Sequence, residues 1–367
     1  MRMNGTAGLI VDGLLVGGFG AQHSALATVR AKTRARRRFG VDPLEWRTVE
    51  SVCNVGYVLV AVALWQRVGG VVWDVRGAAG ALMWALAALS WVWYWELHLF
   101  EYDCGLAFGS TALVSRLARQ PVPGLVPWKV GTRRWIRFPV HTAFFGMFFL
   151  LPRMTADLLV LAVVLNLYNV IGSVLYDKRL QRQAGDAYAR YQAVTGLICP
   201  PVYRAPRGAT DLAMATPAHW RRPSRHVPGV VCGTCLAGLY LVVLSGARID
   251  PLGALLTGAT GVAGAVVSGV VIGRWTDSDV PDWAQRQSDL ATTVALAAAL
   301  GVLLWTGSEW LWRGHPAPFA FYLPLWFTVQ YLGHVAAFLG NRTRWGTMPP
   351  PVGLESDGLP LPSPLSA

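Results

Sequence analysis

Apolar runs near twenty residues long, divided by short polar segments, recur along most of the chain. Each approaches the ~20 residues a helix needs to cross the ~30 Å hydrocarbon core of a bilayer. Nine are read, at 6–26, 48–65, 77–99, 138–152, 156–175, 227–246, 251–273, 290–311 and 319–339. The fold class expected is therefore all-α: a polytopic transmembrane helical protein of about nine spans. The fourth and fifth runs are short and separated only by Arg153, Met154 and Thr155. They predict a helical hairpin that stops short of the far face. Gly13, Gly17 and Ala21, and again Ala265, Gly269 and Gly273, recur every four residues, a spacing that lets helix backbones approach closely in lipid.

The polar segments then orient the spans. Arg30, Lys32, Arg34, Arg36, Arg37, Arg38 and Arg47 follow the first span. Arg116, Arg119, Lys129, Arg133, Arg134 and Arg137 follow the third, and a third basic set from Lys178 to Arg225 follows the fifth. The alternate loops carry only Arg67 and Arg76, then Arg153, Arg248 and Arg313. Cytoplasmic loops hold the excess of Lys and Arg, so the N-terminus is expected outside and the C-terminus in the cytoplasm, in a multi-pass inner (cytoplasmic) membrane protein. The run from Gly5 to Ala27, with Arg2 ahead of it and a dense basic cluster behind, reads as a first membrane helix and not as a cleaved signal.

Composition agrees. The chain has 367 residues, 53% of them hydrophobic and 14% charged, against about a quarter charged in soluble domains; the mean hydropathy is +0.39. The net charge of +12 sits in the loops between apolar runs, which marks the lipid bilayer and not nucleic acid as the partner. Five scattered cysteines make no disulfide framework. Cys232 and Cys235 have redox or zinc spacing, but no βαβ pattern and no second cysteine pair accompanies them. Four segments follow: a five-helix membrane module at 1–203, a polar, Pro-containing cytoplasmic connector at 204–226, a four-helix extension at 227–345 and a disordered Pro-rich tail at 346–367.

Charge at membrane depth is costly and raises a functional question wherever it occurs. Asp12 falls in the middle of the first span; His334 in the ninth reads, like Asp12, as an interhelical hydrogen-bonding residue. Glu96, His98, Glu101 and Asp103 gather at the cytoplasmic end of the third span, where His23 closes the first and His141 opens the fourth. The densest pattern runs from Trp135-Ile136-Arg137-Phe138-Pro139-Val140-His141 through Pro152-Arg153-Met154-Thr155. It then continues as Leu175-Tyr176-Asp177-Lys178-Arg179-Leu180, Gly185, Tyr188 and Tyr191.

This arrangement resembles the integral-membrane methyltransferases related to isoprenylcysteine carboxyl methyltransferase, and most closely the methanethiol S-methyltransferase type. Those proteins carry Arg-His-Pro entering a hairpin, Pro-x-Met-Thr at its turn, Leu-Glu-Glu-Arg-Asp-Leu leaving it and Gly-x-x-Tyr-x-x-Tyr beyond. Gln22-His23-Ser24 and the segment from Phe100 to Leu106 add to the resemblance, which covers about residues 6–203. Two positions depart from it: Phe138 stands where the family has histidine, with His141 three residues on, and Tyr176 stands in place of the first glutamate. The last four spans have no counterpart in the five-helix members.

The resemblance implies a methyltransferase that uses S-adenosylmethionine and acts on a small thiol or a lipophilic thiol or carboxylate. Arg137, Pro139, His141, Asp177, Tyr188 and Tyr191 are then the candidate cofactor-binding residues. Arg137 would hold the cofactor's carboxylate, Asp177 would accept from its ammonium or ribose hydroxyls, and Tyr188 and Tyr191 would pack its adenine. His23 and His141 are the candidate catalytic pair, because a base or cationic field raises the thiolate fraction of a thiol whose free pKa is about 8.5. No metal ligand set is expected. Two alternatives stay open: a degenerate, non-catalytic scaffold or partner-binding protein of the same fold, and a nicotinamide-dependent membrane reductase. A protein partner for the last four spans also stays open.

Overall fold

The structure, a computed structural model, describes residues 5–41, 43–101, 107–109, 131–201, 236–237, 239–240, 242–244, 252–263, 321 and 325. Helix α1 is Gly5–Leu26, α2 Val29–Phe39, α3 Pro43–Leu64 and α4 Gly77–Glu96, which passes into a π-helical turn at Leu97–Glu101. A 3-10 turn at Gly131–Arg134 leads into α5 (Pro139–Phe149) and α6 (Ala156–Val194), and Leu252–Ala263 forms α7. Short strands β1 (Val71–Asp74) and β2 (Arg153–Thr155) pair antiparallel. Four of the described helices are long and apolar enough to cross a membrane: Gly5–Leu26, Glu45–Leu64, Gly77–Glu96 and Ala156–Arg182. The predicted spans at 290–311 and 319–339 and the tail lie almost entirely outside the described residues. So do most of 227–246 and the second half of 251–273.

The predicted hairpin forms, with an asymmetry hidden from the apolar pattern. Helix α5 has 11 residues and at 1.5 Å per residue covers roughly 16 Å, about half a bilayer core. The chain continues to β2 through the non-helical segment Leu150–Pro152. Its backbone groups find partners that apolar surroundings demand: Pro152 O accepts Val75 N at 2.8 Å, Ala156 N donates to Gly70 O at 2.9 Å and Trp73 Nε1 donates to Leu151 O at 2.9 Å. The strand pair therefore seals the hairpin tip, a small sheet that the all-α expectation lacked. It also shows that the 66–76 loop and the 153–155 turn share one end of the bundle. The start of α1 joins them there: the side chains of Gln66 and Val68 lie against Gly8, and Asp12 Oδ1 accepts Gln66 N at 2.9 Å.

Three further expectations change. The basic residues 30–38 form a helix, not a loop, closed by Gly40 in the left-handed conformation (φ 61°). The helix of the fifth span continues past 175 to Val194, bending at Gly185 (φ 55°, ψ −133°), a conformation that residues with a Cβ rarely take. On α1 the buried stripe is Gly8, Asp12, Val16 and Gly20; Gly17 and Ala21, expected to face a neighbour, are exposed. Gly20 is where α6 comes close, because a Cβ there would stand 2.7 Å from Tyr168 Cδ2. The main apolar core joins α4, α5 and α6 through Tyr94, Ala143, Met147, Phe148, Met154 and Ala162. Tyr240, from the expected extension, enters that core and donates to Met147 O at 2.8 Å.

Candidate functional site

Away from the strand pair, the foot of the α5–α6 hairpin is closed by charge. Arg137, just ahead of α5, meets Asp177 of α6 through two contacts, Nε to Oδ1 at 2.8 Å and Nη2 to Oδ2 at 3.3 Å. The pair is 40 residues apart in sequence, with both side chains 11% exposed. Beyond Gly185 the helix turns back over it. Tyr188 Oη donates to Asp177 Oδ1 at 2.6 Å and Gln192 Nε2 to Oδ2 at 2.7 Å. Arg137 Nη1 donates to the Gln192 carbonyl at 3.2 Å and to both the carbonyl and hydroxyl of Thr195. A short parallel ladder completes the closure, with Gly196 N on Trp135 O, Arg137 N on Gly196 O and Phe138 N on Leu197 O. Tyr191 Oη anchors the same segment to Arg133 O at 2.7 Å. Burial first, and then the bond to Asp177, raise the Tyr188 phenol above its ordinary pKa, so it stays a proton donor at any working pH.

Arg137 and Asp177 are bonded within the protein. All three guanidinium nitrogens of Arg137 already have protein acceptors, and both oxygens of Asp177 already have protein donors. The pair ties the foot of the hairpin together. Pro139 is buried at the first position of α5, where its missing N–H costs nothing and its fixed φ starts the helix.

About one helical turn further into the bundle lies a second polar layer, and there the two histidines converge. Ser173 Oγ gives its proton to the Asn169 carbonyl at 2.8 Å. His141 Nδ1–H therefore donates to Ser173 Oγ, and Nε2 keeps its lone pair. His23, near the end of α1, accepts at Nδ1 from Asn54 Nδ2 of α3 at 2.8 Å and meets the edge of Tyr168, with ring centroids 6.3 Å apart. Tyr168 in turn shares a 3.1 Å hydrogen bond with Ser24. Both histidines pack against α6, His23 through Tyr168 and His141 through Ser173. Two buried polar atoms in this layer, Asn54 Oδ1 and Asn169 Nδ2, have no hydrogen-bond partner among the described residues.

Both departures from the family pattern meet here. Phe138 stacks on His141, with centroids 5.8 Å apart and planes 11° from parallel, and meets Tyr176 edge-on at 5.8 Å. Arg179 covers the other side of Tyr176 at 4.5 Å. An aromatic pair thus occupies the two altered positions together, and the imidazole that accompanies it stands one turn further along α5.

The remaining acidic candidates separate. Asp12 is fully buried at the strand-pair end, eleven residues from His23 along α1. His98 Nδ1–H donates to Tyr94 O at 2.8 Å, and Glu101 accepts from the backbone and hydroxyl of Thr132; Asp103 lies outside the described residues. No group of three or more His, Cys, Asp or Glu suited to a metal occurs among the described residues. Sequence reasoning missed Asn54, Asn169, Ser173, Gln192 and Thr195. For two of these a signal existed, since Asn166, Asn169, Ser173 and Asp177 recur at helical spacing in an apolar run and share the buried face of α6. Gln192 and Thr195 carry no such mark.

Comparison with known proteins adds an independent line. The chain is similar to the methanethiol S-methyltransferase of Pseudomonas deceptionensis, 30% identical over 215 residues that cover 55% of this chain and 76% of that protein. The Mycobacterium tuberculosis enzyme of the same name is 27% identical over 201 residues, 53% of this chain and 80% of its own. That of Crocosphaera subtropica is 25% identical over 193 residues, 52% and 74%. No protein-family model matches the chain. No solved structure matches it either. With its apolar helices and its hairpin closed by Arg137 and Asp177, the chain belongs to the methanethiol S-methyltransferase family of membrane methyltransferases.

Proposed function

We propose that the chain is an S-adenosylmethionine-dependent membrane methyltransferase acting on a small or lipophilic thiol at the basic end of the bundle. The observation that carries this reading is that His23 and His141 both reach α6, through Tyr168 and Ser173, inside the Arg137–Asp177 pair, in a chain whose relatives are named methanethiol S-methyltransferase. Unpartnered Asn54 Oδ1 and Asn169 Nδ2 offer one acceptor and one donor beside the histidines, which suits a zwitterionic ligand with an ammonium and a carboxylate. S-adenosylmethionine, when bound, supplies an electrophilic methyl group on a sulfonium.

The chain's own residues have separate tasks. Ser173 holds His141 in the tautomer whose Nε2 can take the proton of an acceptor thiol, raising its thiolate fraction. Asn54 orients His23. Phe138 stacks on His141 and, with Tyr176, walls the site with aromatic rings. Pro139 starts α5, and Arg137, Asp177, Tyr188 and Tyr191 close the site from the solvent side without spending their hydrogen bonds on the ligand. Positive-inside charge supports an N-terminus outside and a C-terminus in the cytoplasm of the inner membrane, with nine spans. The segment division at 204–226, 227–345 and 346–367 belongs to the same proposal.

The scaffold reading keeps one observation in its favour, the mutual satisfaction of Arg137 and Asp177. Equilibrium binding of labelled S-adenosylmethionine to the detergent-purified chain, with headspace detection of methylated small thiols, separates the two. Saturable binding and thiol-dependent methylation, both weakened in His141→Gln, are expected. Absence of binding to folded protein at millimolar cofactor would overturn the enzyme reading, and protection by NADPH in its place would indicate a reductase.

A further inference from the structure

Helix α2 supplies none of the residues assigned above to the candidate site, and it is the most charged element described. In eleven residues it carries Arg30, Lys32, Arg34, Arg36, Arg37 and Arg38 and no acid. Its ends are well made: Thr28 Oγ1 accepts Ala31 N at 3.1 Å, and Gly40 N donates to Arg36 O at 2.8 Å. At about 100° per residue, Arg30, Arg34, Arg37 and Arg38 fall on one face, within an arc of about 100°. All four are exposed. The opposite face packs inward, where Ala35 is buried and Lys32 Nζ lies 3.7 Å from Glu50 of α3. Exposed apolar side chains stand at both ends, Val29 64% and Phe39 53% exposed.

Such a helix works against itself in water. Arg30 with Arg34, and Arg34 with Arg38, are like charges at i, i+4, and Arg30 also stands at the positive end of the helix dipole. Helix α2 joins the same-side ends of two membrane-crossing helices, α1 and α3, which holds it at the level of the lipid headgroups. Trp46 Nε1 ties the junction by donating to Leu26 O at 3.0 Å.

We propose that the Arg30, Arg34, Arg37 and Arg38 face of α2 binds the phosphates of anionic phospholipid headgroups, with the helix lying along the bilayer surface. Charge complementarity selects this occupant. A row of guanidinium forks takes phosphate oxygens in pairs, and the anionic leaflet removes the repulsion along the helix. The assignment stands apart from the methyl-transfer reading and survives its failure.

The test uses the full chain reconstituted in vesicles of equal phosphatidylcholine and phosphatidylglycerol. After extraction into mild detergent, the lipid retained on the protein is counted by mass spectrometry. The wild type is expected to keep phosphatidylglycerol several-fold over phosphatidylcholine. A variant with R30Q, R34Q, R37Q and R38Q is expected to bring the ratio close to one, whereas lysine at the same four positions keeps most of the preference. Inorganic phosphate added before extraction is expected to leave the wild-type ratio unchanged. Equal retention by the wild type, an unchanged ratio in the glutamine variant, equal loss in both variants, or displacement by inorganic phosphate would each overturn the assignment.

Discussion

Asp177→Asn removes one negative charge from the foot of the hairpin and almost no volume. Asp177 is 8% exposed and accepts from Arg137 at 2.8 and 3.3 Å, from Tyr188 at 2.6 Å and from Gln192 at 2.7 Å. An asparagine offers one acceptor oxygen and turns its NH2 toward groups that are themselves donors. The Arg137 guanidinium, 11% exposed, is left without its counter-charge. Breaking one partner of a buried pair costs about 3–5 kcal/mol, and the residual exposure on both sides points to the low end, ~3 kcal/mol. A local opening equilibrium shifts tenfold per about 1.4 kcal/mol, so the closing segment is expected to open about a hundredfold more often. Native-state hydrogen exchange in detergent reads this at the amides of Arg137, Phe138 and Gly196, which form the ladder; amides in the middle of α6 serve as controls. A change below about fivefold, the scale of one ordinary hydrogen bond, would refute the reasoning and leave closure to the ladder and the Tyr191–Arg133 bond. The double variant Arg137→Gln, Asp177→Asn is expected to open less than Asp177→Asn alone, since no unpaired charge remains.

Gly185→Ala is expected to cost about 1–3 kcal/mol in the observed bend, and limited proteolysis should cut faster after exposed Arg190 as Tyr188 and Tyr191 leave their partners. His141→Gln is expected to lower thiol methylation by roughly 10²–10⁴ at unchanged thermal stability; equal rates in the variant and wild type would remove His141 from the chemistry. Because the Tyr188 pKa is raised in the folded chain, its contribution is complete below the unfolded value of about 10 and is lost progressively from there as pH rises through the folded one. The stability difference between wild type and Tyr188→Phe should therefore stay flat from neutral pH up to that unfolded value. Gly20→Ala drives a Cβ to within 2.7 Å of Tyr168 Cδ2; it is expected to lower the thermal midpoint at a cost of about 1–3 kcal/mol and to weaken the Ser24–Tyr168 bond.

Where spans begin was legible because desolvation of peptide groups imposes long apolar helices, and the runs at 6–26 and 77–99 read almost as α1 and α4 stand. The hairpin was legible for the same reason; that Arg137, Asp177, Tyr188 and Tyr191 lie together came from the family resemblance, and the structure brings them into contact. Periodicity could not show that α5 is only 11 residues long, because Leu150–Pro152 are as apolar as the helix before them. Nor could it show β1, whose pairing with β2 joins residues about eighty positions apart.

Sequence by itself determined the class of molecule: a membrane protein, the charge asymmetry of its loops and the family to which it belongs. These depend on composition and on local order, which each residue carries wherever the chain goes. Only tertiary structure decided that Arg137 and Asp177 spend their charges on each other. Only there do Phe138 and Tyr176 replace a polar pair as touching rings, and His141, His23, Asn54 and Ser173 gather in one layer from four helices. The physical reason is that a hydrogen bond or a ring contact is made across space within a few ångströms. The partner is set by how helices cross, and that crossing depends on single small residues such as Gly20 and single backbone bends such as Gly185.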